Sequence, residues 1–224
     1  MPCYQISVDG YAACGKSTLA RSLARELNFL YIDSGAMYRA VSLFFLNQEI
    51  NPLDKNITSL IEELDISLSF PNNESRAIVH LNNRDVTDEI RTQQVSNQVS
   101  QVAAIPSVRK KLVALQQKYG EKNNIVMDGR DIGTVVFPNA VLKLFITAEM
   151  ETRIIRRKKE IESKGREATY DDIKNNLKSR DYLDSTRNDS PLKKASDAVL
   201  LDTTNLTRKE QLSMVLALAN CRIH

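Results

Sequence analysis

Gly10, Tyr11, Ala12, Ala13, Cys14, Gly15, Lys16, Ser17 and Thr18 form a complete loop of the pattern G-x-x-x-x-G-K-[ST]. The segment before it, Tyr4 to Val8, is β-prone, and Leu19 to Leu27 after it is rich in helix formers. Strand, loop and helix therefore follow in the order that a phosphate-binding loop requires. Gly10 and Gly15 let the backbone curl so that successive N–H groups point inward at phosphate oxygens. The positive end of the next helix strengthens that field. Lys16 supplies a charge for the β and γ phosphates, and the Ser17 hydroxyl is a hard oxygen for Mg²⁺.

The rest of the chain fits a doubly covered parallel sheet. Apolar runs at Tyr4–Val8, Leu30–Ile32, Ile125–Met127, Val141–Ile146 and Ala198–Leu201 suit buried strands. Helical spacing fills the gaps, at Thr18–Leu27, Ala36–Leu46, Ser107–Tyr119 and Arg208–Ala219. In such sheets ligands sit beyond the carboxyl ends of the strands. The loop, Asp33-Ser34-Gly35 and Asp128-Gly129-Arg130-Asp131 each follow a strand, so all three should converge on one rim. Residues 65 to 91 break the pattern. Ile66, Leu68 and Phe70 alternate, as do Ala77, Val79 and Leu81, with turn signals at 71–74 and Asn82-Asn83. That predicts two or three antiparallel strands, too few to stand alone, packed on neighbouring helices.

Composition excludes several function classes. A net charge of +3 is too slight to argue for nucleic acid or a membrane surface, and no uncharged apolar run reaches the ~18 residues of a span. The N-terminus lacks the basic-then-apolar pattern of a signal peptide. Three scattered cysteines make neither a disulfide framework nor a zinc cluster and suit a reducing cytoplasm. With only His80 and His224, histidine acid–base chemistry is not expected. Five of the seven glycines lie in the segments singled out here, which supports those segments as places of close backbone approach.

Four further segments carry charge suited to an anionic acceptor. Ser34 can cap the helix that carries Arg39. A polar helix leads from Arg91 to Ser100 and on to Arg109. Asp128 ends a strand beside the loop, where a carboxylate acting on Mg²⁺ through water belongs, and Arg130 and Asp131 follow it. Arg153, Arg156 and Arg157 share a helix face, and beyond Gly165 so do Arg180, Asp184 and Arg187. Two charged helices joined near a glycine suit a lid that closes over triphosphate.

Together these stretches resemble the bacterial cytidylate kinases, kinases of CMP and dCMP among the nucleoside monophosphate kinases. The matching segments are Gly10–Thr18, Asp33–Arg39, Ile90–Ala104, Asp128–Pro138, Arg180–Arg187 and Asp202-Thr203-Thr204. DGRDIGTVVFP together with SQVAA is the specific part, and the 65–91 insertion separates this family from other small nucleotide kinases. The resemblance implies one P-loop domain: core 1–64, 92–147 and 188–224, acceptor-side insertion 65–91, helical lid 148–187. It implies ATP held by Gly10 through Thr18, with Arg153 and Arg157 closing on its phosphates and Mg²⁺ as cofactor at Ser17 and, through water, Asp128. Arg39, Arg130 and Arg187 would bind the acceptor phosphate, and Arg180 and Asp184 the sugar. Ser34, Ser100, Arg109 and Asp131 would surround cytosine, where a carboxylate accepts from the exocyclic amine and would be repelled by the carbonyl of uracil. Lys16, Arg130, Arg157 and Arg187 are the expected catalytic residues, in a cytoplasmic monomer.

The loop departs from that family's commoner form. Tyr11 stands where Pro is frequent, and Cys14 and Ser17 where smaller or hydroxyl-free residues are, Ser17 being benign. Cys14 among phosphate-binding amides raises the expectation of a nucleotide-protected thiol. Rival readings are a kinase of another small acceptor, which would not require Ser100, Arg109 and Asp131, and a nucleotide-dependent switch, which would need an N-K-x-D element absent here. A nucleic-acid ATPase lacks support from charge or aromatic patterning.

Overall fold

The computed structural model describes residues 3–52, 54, 57–71, 77–163 and 165–223. A five-stranded parallel sheet runs in the order β2-β6-β1-β7-β8. Its strands are β1 (Gln5–Gly10), β2 (Leu30–Asp33), β6 (Ile125–Gly129), β7 (Leu142–Thr147) and β8 (Val199–Asp202). Each extends one or two residues past the apolar run that announces it, because hydrogen bonding continues into the polar strand ends that carry the site. The chain leaves β1 toward β6 and β2 on one side and later fills β7 and β8 on the other. The phosphate loop thus sits where strand order reverses.

Side chains alternate across the sheet. Ile6, Val8, Val126, Leu142 and Leu144 pack with α1 (Lys16–Leu27) and α8 (Arg208–Ile223). Ile32, Ile125 and Met127 pack the other way, against α2 (Ser34–Asn47), α4 (Gln93–Val102) and α5 (Pro106–Lys122). Each fully buried aliphatic side chain there contributes about 1.5–3 kcal/mol relative to exposure. Helix α1 ends where Asn28 turns left-handed at φ 53° and closes its N–H on the Ala24 and Arg25 carbonyls.

The insertion is a three-stranded antiparallel sheet of β3 (Ile66–Ser69), β4 (Ile78–Leu81) and β5 (Arg84–Asp85). Asn82 and Asn83 both adopt positive φ, the geometry of a two-residue hairpin turn that Asn tolerates. The predicted turn at 71–74 lies, beyond Pro71, outside the described residues. Ile66, Leu68, Val79 and Leu81 join the α2 and α5 side of the core and α3 (Thr58–Glu63) through Ile61, so the small sheet is a wing of the main core. The charged helices are α6 (Met150–Glu162) and α7 (Tyr170–Thr186), with Gly165 between them at φ 67°. Ile154, Ile173 and Leu177 pack them together and onto Ala12 of the phosphate loop.

Candidate active site

The ends of β1, β2 and β6 open onto one cleft of about 650 Å³, also walled by α4, α6 and α7. At one end lies the phosphate loop. Gly10 must be glycine, because a Cβ there would stand 2.1 Å from the Ile146 carbonyl oxygen of the paired strand. Gly15 sits at φ 93° and opens α1 with no side-chain cap, leaving the first amides of that helix for a ligand. Lys16 is 7% exposed, and its Nζ donates to the Tyr11 carbonyl at 3.2 Å. Burial, then Arg130, lowers its pKa. Ala12, Ala13, Gly15, Lys16, Ser17 and Thr18 face the cleft, whereas Gly10, Tyr11 and Cys14 form the loop's back.

Arginines grip that back. Arg153 Nε donates to the Ala12 carbonyl at 2.8 Å while its Nη2 holds both oxygens of Asp181 on α7 at 2.9 and 2.6 Å. Its guanidinium lies 5.3 Å from the Tyr11 ring centroid. Arg153, read from sequence as a phosphate ligand, is thus turned away from the cleft by a carboxylate and a ring that spacing could not reveal. Arg156, left out of the expected ligands, reaches the Cys14 carbonyl at 3.2 Å and Thr203 Oγ1 at 2.9 Å. Thr203, wholly buried, itself donates to the Cys14 carbonyl. The Cys14 thiol is fully buried against the Tyr11 carbonyl, which removes the expectation of an accessible thiol. Arg157 does face the cleft and pairs with Glu160 at 2.8 Å.

Between the two ends, Ser17 Oγ donates to Asp128 Oδ2 at 2.6 Å, and the Tyr31 hydroxyl, which nothing in the sequence singled out, donates to Oδ1 at 2.7 Å. Burial and neighbouring Asp33 raise the Asp128 pKa. Among the described residues no cluster of three His, Cys, Asp or Glu side chains could cage a metal. A hydroxyl and one carboxylate do fit a hard cation held mainly by water and phosphate oxygens.

The other end is built from arginines. Arg39, Arg130, Arg180 and Arg187 line it, with Ser34, Ser100, Asp131 and Asp184. Asp33 caps α2 by accepting from the Ala36 amide at 3.1 Å and holds Arg39 at 2.7 Å. Burial alone would raise the Asp33 carboxyl, but Arg39, Arg91 and Lys16 outweigh it and hold it low. Sequence reading gave the cap to Ser34, yet Ser34 donates to the Asp128 carbonyl at 2.7 Å and ties β2 to β6. Arg130 Nε pairs with Asp184 at 2.7 Å. Arg180 is half-buried, its buried Nε has no hydrogen-bond partner, and desolvation followed by Arg130 drives its pKa down to about 10. Arg109 lies behind the wall, donating to Asp131 and, at 3.3 Å, to the Tyr38 hydroxyl. Arg187 Nη2 stands 3.5 Å from the other Asp131 oxygen. Asp131 therefore reaches the cleft already oriented by two cations. Arg91, from the insertion, also borders the cleft, 3.8 Å from Asp33.

A parallel sheet switching order at a phosphate loop, with a cation-lined cleft beyond it, defines a P-loop phosphotransferase. Among solved structures, a gluconokinase from Sinorhizobium meliloti shares the fold at TM-score 0.51 and 12% identity, covering 98% of this chain and 94% of that one. An uncharacterized protein from Eubacterium ventriosum does so at TM-score 0.52 and 14% identity, covering 98% and 99%. The sequence narrows the class. The cytidylate kinase family profile matches residues 6–221. Cytidylate kinases from Cytophaga hutchinsonii (46% identical, covering 96% of this chain and 92% of that protein) and Flavobacterium psychrophilum (49%, covering 96% and 97%) align over nearly the whole length. One from Carboxydothermus hydrogenoformans is 49% identical, covering 95% of each. The chain belongs to the cytidylate kinase family, and with it to the nucleoside monophosphate kinases.

Proposed function

We propose that the protein transfers the γ-phosphoryl group of ATP to CMP or dCMP with Mg²⁺, yielding ADP and CDP or dCDP. The observation that carries this reading is the second, arginine-built end of the cleft, where Arg180 shares Asp184 with Arg130, keeps a buried Nε without a hydrogen-bond partner and so lacks a counter-charge of its own. A phosphorylated acceptor supplies that charge. A phosphate acceptor is already anionic near neutral pH, so the task is to bring two polyanions together in line rather than to abstract a proton. Lys16 and the loop amides hold the donor phosphates, and Arg157 and Arg156 border them. Arg39, Arg130 and Arg187 hold the acceptor phosphate and spread the charge of the transferring group, with Arg180 and Asp184 at the sugar. Asp131, backed by Arg109, accepts from the cytosine amine beside Ser34 and Ser100. Mg²⁺ at Ser17, and at Asp128 through water, supplies further neutralisation of the phosphate oxygens.

The α6–α7 pair acts as the lid over a 1–64, 92–147 and 188–224 core, and the 65–91 wing as part of the acceptor side. The enzyme works as a cytoplasmic monomer without nucleic acid or membrane. None of the helices, among the described residues, is long and apolar enough to cross a bilayer. The test is phosphoryl transfer from ATP–Mg²⁺ to CMP, dCMP, UMP, AMP and shikimate. Turnover of both cytidine nucleotides well above the rest is expected, and activity confined to another acceptor overturns the assignment.

A further inference from the structure

The central strand β1 is buried on both faces, and such strands in parallel sheets are normally apolar throughout. Here Ile6 and Val8 fill one face, while Ser7 and Asp9, at 0% and 4% exposure, alternate toward the other. A carboxylate enclosed this way needs partners. Asp9 finds two of them across the sheet: Oδ1 accepts the Ile132 amide at 2.8 Å and Oδ2 the Gly133 amide at 2.7 Å. Those amides open the π-helical turn Ile132–Val136, whose preceding residue, Asp131, gives no side-chain cap of its own. The turn is drawn tightly onto β1. A Cβ at Gly133 would lie 2.6 Å from Ser7 Oγ and 3.3 Å from Asp9 Oδ2. Immediately before it come Arg130 and Asp131, the side chains that face the acceptor end of the cleft.

We propose that Asp9 is a positioning residue: by gripping the first two amides of this turn it fixes the height and direction of Arg130 and Asp131 over the acceptor. The proposal rests on the acceptor-side reading given above. Asp9 is a fixed anchor because its backbone is in the sheet, in register with Gly129 on β6. Two parallel N–H···O bonds to one carboxylate fix orientation as well as distance, which a single bond cannot do. Asp131 and Arg130 on the turn are the charged groups facing Asp9. Across from them Lys143 on β7 approaches the same spot with its chain and pairs its Nζ with Asp197 at 2.8 Å. Burial, only partly offset by the two amide bonds, lifts the Asp9 pKa to about 7. The grip is therefore titratable near neutral pH.

Two measurements test this. In the wild-type protein, the Ile132 and Gly133 amide proton resonances should move together with a midpoint near 7, because both donate to the group that loses its proton. Both resonances should also shift in Asp9→Asn; amides that are flat from about pH 5 to 9 and unshifted in that variant overturn the grip, and this readout is independent of which acceptor the enzyme uses. Second, Asp9→Asn keeps the shape but turns one acceptor into a donor facing an amide. Expected are a fall of at least tenfold in kcat/KM for CMP, a reduced CMP/UMP preference, and a KM for ATP within about twofold of wild type. Gly133→Ala, which leaves Asp9 intact but lifts the turn, should reproduce that pattern. A residue that only stabilises the fold would lower the melting temperature in both variants and leave the CMP/UMP preference of the folded fraction unchanged, and that result sinks the proposal. Wild-type enzyme inactive on CMP while the amides still titrate would instead overturn the acceptor reading and leave the link from Asp9 to the turn standing.

Discussion

The two ends of the cleft are made of different materials. The phosphate-loop end is backbone, shaped by glycines and clamped by Arg153, Arg156 and Thr203, each of which donates to a loop carbonyl. The opposite end is side chain, with Arg39, Arg130 and Arg187 tied by carboxylates of Asp33, Asp184 and Asp131 and Arg180 left over. Backbone amides recognise any phosphate chain, so one end sets a ligand class. Charged side chains set in fixed directions recognise a particular molecule, so the other end sets identity.

Substitutions should separate these roles. The largest effect is expected at the lysine of the backbone end: Lys16→Met should lower turnover roughly a thousandfold, measured at saturating ATP and acceptor. At the side-chain end, Arg130→Ala should cost about a hundredfold in turnover, since it removes a cation and leaves Asp184 buried without its partner. Near-normal turnover in a folded variant removes Arg130 from the chemistry. Asp131→Ala should erode the CMP/UMP preference by roughly tenfold or more, about the discrimination of one well-placed polar contact. An unchanged ratio takes Asp131 out of base recognition.

Behind the loop the signature differs. Arg153→Ala leaves the Ala12 carbonyl and Asp181 without their partner, so it should destabilise by about 1–3 kcal/mol and raise KM for ATP more than for the acceptor. The reverse split would mean that Arg153 leaves its place to bind the acceptor. The smallest effect is expected at Cys14, whose thiol should resist labelling equally with and without ATP until the protein unfolds. Rapid labelling that ATP blocks would place this thiol at the cleft surface.

Stability should also respond to pH through Asp9. Its folded pKa, about 7 against an ordinary 3.8, means the folded state keeps a proton that the unfolded chain has already released. Its contribution is therefore fully present below about pH 4 and is lost as pH rises through 7. Across that window wild type should lose stability relative to Asp9→Asn in denaturant melts, and parallel curves would contradict the raised value.

Much of this was legible in the chain. Strand–loop–helix order, the rim on which Asp33, Asp128 and Arg130 converge, and the antiparallel wing all follow from local patterns of period two and 3.6. What sequence reading misassigned were partners. Asp33 took the cap given to Ser34 because it is the extended residue just before the helix, whereas Ser34 already lies inside α2 and had a strand carbonyl within reach. Arg153 shares a helix face with Arg157, and i, i+4 spacing could not say that Asp181, 28 residues on, would claim one of them. Tyr31 and Asp9 carried no signal at all, since each lies in a segment that reads as ordinary strand, and Arg91 stood out only as part of a charged segment, without a role of its own.

By itself the sequence determined the phosphate loop, the parallel sheet behind it and the family, because these depend on backbone conformations that neighbouring residues dictate. Only the tertiary structure decided which arginine serves the loop and which faces the acceptor, and that a buried aspartate at the end of β1 holds the turn between them. A charge chooses its partner by distance across packed elements, and that distance is not written in spacing along the chain.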